Sequence, residues 1–171
     1  DLPDGTVDCI VTSPPYYGLR QYTDSELEIG REPTPGGDVE DLSKVFRECR
    51  RILADDGTFW LNLGDTYSTP NLWDGGDGSE NSIGLHGHVQ KPNGRKRPDR
   101  PAKNLLGIPW RVAFALQDEG WILRSDIIWG KTNPMPESVQ DRPSKRYEHI
   151  FLSSTTAPPY SDYHSIRQQK K

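Results

Sequence analysis

The chain has 171 residues, 32% of them hydrophobic and 27% charged, with a formal net charge of −4. That length fits one domain able to bury a real core. No run approaches the roughly 20 apolar residues of a membrane span, and no basic segment followed by an apolar stretch opens the chain, which predicts a cytoplasmic protein without membrane contact. Cys9 and Cys49 are the only cysteines, and they read as small buried hydrophobes in a reducing compartment rather than as a disulfide. The chain opens at Asp1 without Met and reads as a piece of a longer product.

The charge is uneven. Residues 1–60 carry 13 acidic and 6 basic side chains, whereas residues 61–171 carry 12 acidic and 15 basic. Within the second part, Lys91, Arg95, Lys96, Arg97, Arg100 and Lys103 crowd into 13 residues with a single acid. Such a patch can track a phosphate backbone, and a solvated linker is the equal alternative.

In chain order, Thr6–Ser13 reads as a short buried strand rich in β-branched residues. It stops at Pro14-Pro15-Tyr16-Tyr17, and residues 18–38 read as loop. Leu42, Val45, Phe46, Cys49, Ile52 and Leu53 then form one apolar stripe at helical period. Asp38 or Asp41 is placed to cap that helix, and Gly57 to follow its end. Gly57–Asp65 reads as a second strand. Residues 68–104 form a long polar insertion, either functional or structureless. A second helix is expected from about Ile108, with Pro109 suited to its start and Gly120 to its stop. Trp121–Lys131 and Tyr147–Ser154 read as two further strands, with a loop between them.

Helices between successive strands imply parallel crossovers and an α/β sheet. Ligands in such sheets gather beyond the carboxyl ends of the strands. Three loops therefore become candidates: Thr12–Tyr17, Asn62–Tyr67 and Lys131–Glu137.

The strand ending "TSPPYYGLR" resembles the catalytic motif of the amino-group DNA methyltransferases, which place Ser, Asp or Asn before Pro-Pro-Tyr. Three further blocks agree in order: "EDLSKVFRECRRILADDGTFWLNLGDTY", "GIPWRVAFALQDEGWILRSDIIWGKTNPMPES" and "DRPSKRYEHIFLSS". The resemblance covers about residues 1–165 apart from the insertion, and takes 166–171 as the cut start of a further segment. It implies part of a Rossmann-like α/β sheet, mostly parallel with an antiparallel last strand. It also implies transfer of a methyl group from S-adenosylmethionine to the exocyclic amine of a base flipped out of duplex DNA. Ser13 in front of the prolines leans toward cytosine N4, with adenine N6 as the alternative and a non-catalytic DNA-binding module as the competing class. Such enzymes can work beside a cognate restriction endonuclease.

The chemistry accounts for the residues. The amine lone pair is delocalised into the ring, and two oxygen acceptors for its hydrogens favour a nitrogen with a localised pair. Ser13 Oγ and the Pro14 carbonyl suit that role, with Pro14 and Pro15 fixing φ so that the carbonyl is aimed in advance. Tyr16 offers a flat face for an extruded base, and Tyr17, the lesser ring, is a candidate for the same pocket with packing against the loop the favoured alternative. Asn62 and Asp65 are placed to shape the base pocket or the cofactor edge, with a local turn role for Asp65 the even alternative. Lys131 and Asn133 are placed to contact the base or a phosphate, although Gly130 and Thr132 depart from the family's usual His and Pro. Arg20 is within reach of a phosphate or simply solvated, and Trp129 reads as core. His86, His88 and the two cysteines lack metal-type spacing, so no metal is expected. Cytosine C5 methylation is set aside, because it needs a cysteine nucleophile. The family's Phe-x-Gly-x-Gly cofactor segment does not occur in the sequence.

Overall fold

A computed structural model describes residues 2–19, 22–23, 25, 27–68, 101–134 and 139–157. The elements follow the expected order: β1 (Val7–Thr12), α1 (Pro35–Ile52), β2 (Leu53–Leu63), α2 (Ile108–Asp118), β3 (Ile122–Gly130) and β4 (Tyr147–Ser154). The sheet runs β1-β2-β4-β3. β1 and β2 are parallel, and β4 is antiparallel to both β2 and β3. Three strands thus point one way, and the last strand inserts between two of them in reverse, as the sequence implied.

Both helices lie on one face of this sheet. Phe46 of α1 packs edge-on against Phe59 of β2 at 5.2 Å between ring centroids, and Trp110 of α2 packs against Phe151 of β4 at 5.2 Å. Phe59 pairs with Ser153 and Leu61 with Phe151, so the two contacts share a face. Right-handed crossovers that advance in one direction place successive helices on the same side. The core is built there, from Leu42, Phe46, Phe59, Leu61, Leu63, Val112, Leu116 and Phe151.

The other face carries Val11, Trp60, Asn62, Ile127, Trp129, Glu148 and Ile150 by strand parity. Among the described residues no helix covers it, and two expectations fail for that reason. β1 is an edge strand rather than a buried one, with Val11 77% exposed and Cys9 exposed as well. Trp129 is 51% exposed and not part of the core. Hydrophobicity alone marks a residue as buriable; which face the crossovers cover decides whether it is buried.

The start of α1 also differs from expectation. Thr34 is the cap, its side chain accepting from Gly37 N at 3.1 Å, and Pro35 takes the first helical position. The helix gives way directly to β2, because Leu53 is already extended at φ −72°, ψ 133°, so Gly57 lies within the strand rather than after the helix. Asp38 is fully buried instead of capping. Burial, reinforced by the nearby Glu32 carboxylate, pushes its carboxyl up to about 8. Glu32 itself accepts from Gly30 N at 3.0 Å.

A folded-state carboxyl held above its unfolded value keeps a proton that the unfolded chain has released. Its contribution to stability is therefore full at low pH and lost as pH rises toward about 8. Asp38→Asn should consequently flatten the loss of thermal stability between pH 5 and pH 9 and be the more stable variant at the alkaline end. Melting curves across that range check this; two parallel pH profiles would refute it.

Candidate functional site

The carboxyl ends of β1, β2 and β3 and the amino end of β4 meet at one end of the sheet, and polar side chains from all four converge there. Tyr16, in the loop after β1, sets its hydroxyl 2.9 Å from Asn62 Oδ1 on β2 and 3.0 Å from Glu148 Oε2 on β4. Ser13 Oγ stands 3.2 Å from Asn62 Oδ1 and 3.4 Å from the Tyr16 hydroxyl. Lys131, just past β3, forms an ion pair with Glu148 Oε1. Asn62 Nδ2 donates to the His149 carbonyl at 3.2 Å, which turns its oxygen toward Ser13 and Tyr16.

Local chemistry explains the placement. Ser13 is exposed where the two prolines end the strand. The Tyr16 ring lies against the backbone of Gly64, where an added Cβ would stand 2.5 Å from Cε2, so the β2 turn needs glycine for the ring to sit there. Burial pushes the Tyr16 hydroxyl up to about 12, with Ser13 opposing and Glu148 adding to the rise. Burial works against the charged form of Glu148, but hydrogen bonds from Lys131 and Tyr16 outweigh it and hold the carboxyl below its usual range. The cluster at rest is a neutral phenol beside an ionised carboxylate.

Because Ser13 can donate its own hydrogen to Asn62, the lone pairs of Oγ remain for an incoming donor. An amine presented at this exposed edge would find that oxygen and the Pro14 carbonyl on adjacent residues. The arrangement suits a group that donates two hydrogens.

The family model for DNA methylases matches residues 7–171. The chain belongs to the DNA methylase family. It is 44% identical over 176 residues to the type II methyltransferase M.Cfr9I of Citrobacter freundii, covering 99% of this chain and 55% of that protein. It is 46% identical over 162 residues to M.SmaI of Serratia marcescens, covering 94% and 53%. The chain thus spans about half the length of the curated relatives it matches. Its fold resembles the PvuII DNA methyltransferase, named as cytosine-N4-specific, with a TM-score of 0.64 at 17% identity over 96% of this chain and 48% of that one. It also resembles a putative DNA modification methylase of Thermus thermophilus, complexed with S-adenosyl-L-methionine, with a TM-score of 0.58 at 17% identity over 94% and 50%.

Set against the residues expected of such a family member, the structure sorts them. Ser13, Tyr16, Asn62 and Lys131 come together, and Pro14 and Pro15 form the loop between them. Tyr17 is 2% exposed and belongs to the hydrophobic core rather than to a pocket wall. Asp65 takes the turn role and extends it. Its Oδ1 accepts from Thr66 N at 2.9 Å and Ile108 N at 3.0 Å, and its Oδ2 from Gly107 N at 3.1 Å. It caps α2, whose own cap residue, Gly107, has no side chain to do so. Asn133 is exposed in the loop after β3. Lys103 pairs with Asp141 at 2.5 Å. Arg20, Lys91, Arg95, Lys96, Arg97 and Arg100 lie outside the described residues, as do His86 and His88. A cleft of about 770 Å³ lined by Asp4, Arg47, Arg50 and Arg51 lies at the opposite end of the sheet.

Sequence reasoning passed over Glu148 and the pair His149–Asp126, joined at 2.9 Å. The signal was present: a glutamate inside the strand Tyr147–Ser154 has to find a partner when buried. No group of three or more metal-type ligands occurs among the described residues, and no described helix is long and apolar enough to cross a membrane.

Asp65→Ala leaves the first turn of α2 without its acceptor and should cost about 1–3 kcal/mol of stability. Denaturant unfolding of the variant measures it, and an unchanged midpoint would contradict the capping role.

Proposed function

We propose that this chain carries the amine-side half of a DNA methyltransferase site, in which the methyl group of S-adenosylmethionine reaches the exocyclic amine of a flipped base. The observation that carries this reading is the convergence of Ser13, Tyr16 and Asn62 beyond the strand ends, with Ser13 Oγ exposed and left free to accept. Ser13 and the Pro14 carbonyl accept the two amine hydrogens. The Tyr16 ring, backed by Gly64, presents its other side to the base. Lys131, held at the cluster by Glu148, and Asn133, exposed two residues further on, are assigned to the base or a phosphate.

S-adenosylmethionine supplies an electrophilic methyl group on a sulfonium. The described residues fit the amine that receives this methyl group rather than the donor itself. They place acceptors at the open edge of the sheet, while the glycine-rich turn that would take the adenosine is not in the sequence. Relatives at 44–46% identity named as type II methyltransferases support DNA as the substrate and a cognate restriction endonuclease as a working partner.

Ser13, rather than Asp, before Pro-Pro-Tyr favours cytosine N4. Adenine N6 presents the same two hydrogens to the same acceptors and is the alternative. Arg20 and the basic residues of 91–103 are assigned to the DNA backbone.

Ser13→Ala combined with Tyr16→Ala, introduced into the full-length protein, should lower methyl transfer by about 10²-fold or more. The unfolding midpoint should change little, since Ser13 is exposed and Tyr16 half-buried. A labelled-methyl assay on duplex DNA reads the first quantity, and transfer at the parent rate would sink the assignment. Analysis of the modified nucleoside then separates cytosine N4 from adenine N6.

A further inference from the structure

The polar cluster is one hydrogen short. The Tyr16 hydroxyl lies 2.9 Å from Asn62 Oδ1 and 3.0 Å from Glu148 Oε2, and it has one hydrogen for those two acceptors. Asn62 cannot supply another to these contacts, because its amide nitrogen donates to the His149 carbonyl and toward the Glu148 carboxylate. Ser13 brings one hydrogen of its own, at 3.2 Å from Asn62 Oδ1 and 3.4 Å from Tyr16 Oη. Lys131 engages the other carboxylate oxygen, Oε1, and leaves Oε2 to the cluster. Four oxygens therefore share two hydroxyl hydrogens across three contacts of 3.2 Å or less. A proton placed on Glu148 Oε2 supplies the missing one. Glu148 then donates to Tyr16 Oη, Tyr16 to Asn62 Oδ1, and every short contact becomes a hydrogen bond.

We infer that Glu148 is the proton acceptor of the site, taking up through Ser13 and Tyr16 the proton that the target amine sheds as it is methylated. The inference rests on the amine-methylation reading. As the new N–C bond forms, the C–S bond of the sulfonium donor breaks, and its electron pair stays on sulfur. The nitrogen must then lose one N–H proton to end neutral. Ser13 Oγ takes that proton while its own hydrogen passes to Tyr16 Oη and the Tyr16 hydrogen to Glu148 Oε2. One N–H bond is broken and one carboxylic O–H is formed; Ser13 and Tyr16 finish as neutral hydroxyls. An aminium whose lone pair belongs to a ring is a far stronger acid than a carboxylic acid, so even a carboxylate paired with Lys131 accepts its proton downhill. The Glu148 side chain is 12% exposed, enough to pass the proton to water afterwards. Glu148 touches no substrate in this scheme and is a positioning residue that acts through Tyr16.

The test is single-turnover methyl transfer to duplex DNA by the full-length protein. Glu148→Gln keeps the shape and should lower the rate by about 10²-fold, with KM for DNA held within about two-fold. Tyr16→Phe keeps the ring face and should lower the rate to a similar level, with Glu148→Gln on top of it adding nothing further. Glu148→Ala should recover activity with added small carboxylates, the recovered rate rising with the basicity of the carboxylate. A purely structural glutamate gives rescue indifferent to basicity, or losses that add in the double variant, and either result overturns the inference. So does a Glu148→Gln protein that works at the parent rate. These outcomes leave the methyltransferase reading standing, whereas a parent protein that transfers no methyl group brings down both.

Discussion

The orientation of one amide organises this end of the molecule. Asn62 donates to the His149 carbonyl on the antiparallel neighbour strand, and its oxygen is thereby turned toward Ser13 and Tyr16. Reversed, the amide would offer a donor to two hydroxyls and an acceptor to a carbonyl, and the cluster would lose its polarity. The bond exists because β4 enters the sheet in reverse between β2 and β3, which brings the amino end of β4 to the carboxyl ends of its neighbours. Topology thus supplies Glu148 and the His149 carbonyl to a site whose other members come from strand ends pointing the opposite way.

The sheet is dressed on one side. Its helical face holds the core, and the second face presents Val11, Ile127 and Trp129 with 77%, 38% and 51% exposure. Asn62, Glu148 and Lys131 project on that second side by strand parity. The polar cluster therefore stands at the rim of an apolar surface. An apolar rim lowers the local dielectric and strengthens the hydrogen bonds within the cluster, and it raises the cost of any that are left unmade.

Much of the fold could be read from periodicity and punctuation. The helix carrying Leu42 to Ile52, Pro109 at the start of α2 and the four strands follow the order the pattern gave, because both periods report directly on backbone geometry, although β2 begins at Leu53 rather than Gly57 and Val45 of the stripe is 44% exposed. The strand ends and loops carrying Ser13, Tyr16, Asn62 and Lys131 were legible by a rule about where ligands gather in such sheets. What escaped were relations between distant segments. Asp65 was visible as a turn residue, yet its service to Gly107 and Ile108 depends on a contact across more than 40 residues. Tyr17 sits beside Tyr16 in sequence but points into the core, since neighbouring residues in a loop after a strand seldom share a direction. Glu148 was hidden because one acidic residue in an apolar strand is also the ordinary appearance of an edge.

The insertion is closed off at its base. Ser68 N donates to the Asn104 carbonyl at 2.8 Å, Lys103 N donates to the Ser68 carbonyl at 2.6 Å, and Tyr67 bridges to Leu105. Immediately inside this clasp lie Thr66, bonded to Leu106, and Asp65, which holds α2. Chain that leaves and returns through so narrow a gate adds little strain to the scaffold whatever its length, because closure entropy grows only logarithmically with the number of residues enclosed. The fold therefore offers a socket next to its chemistry. Segments of different length and composition can be exchanged there without redesigning the cluster of Ser13, Tyr16, Asn62 and Glu148.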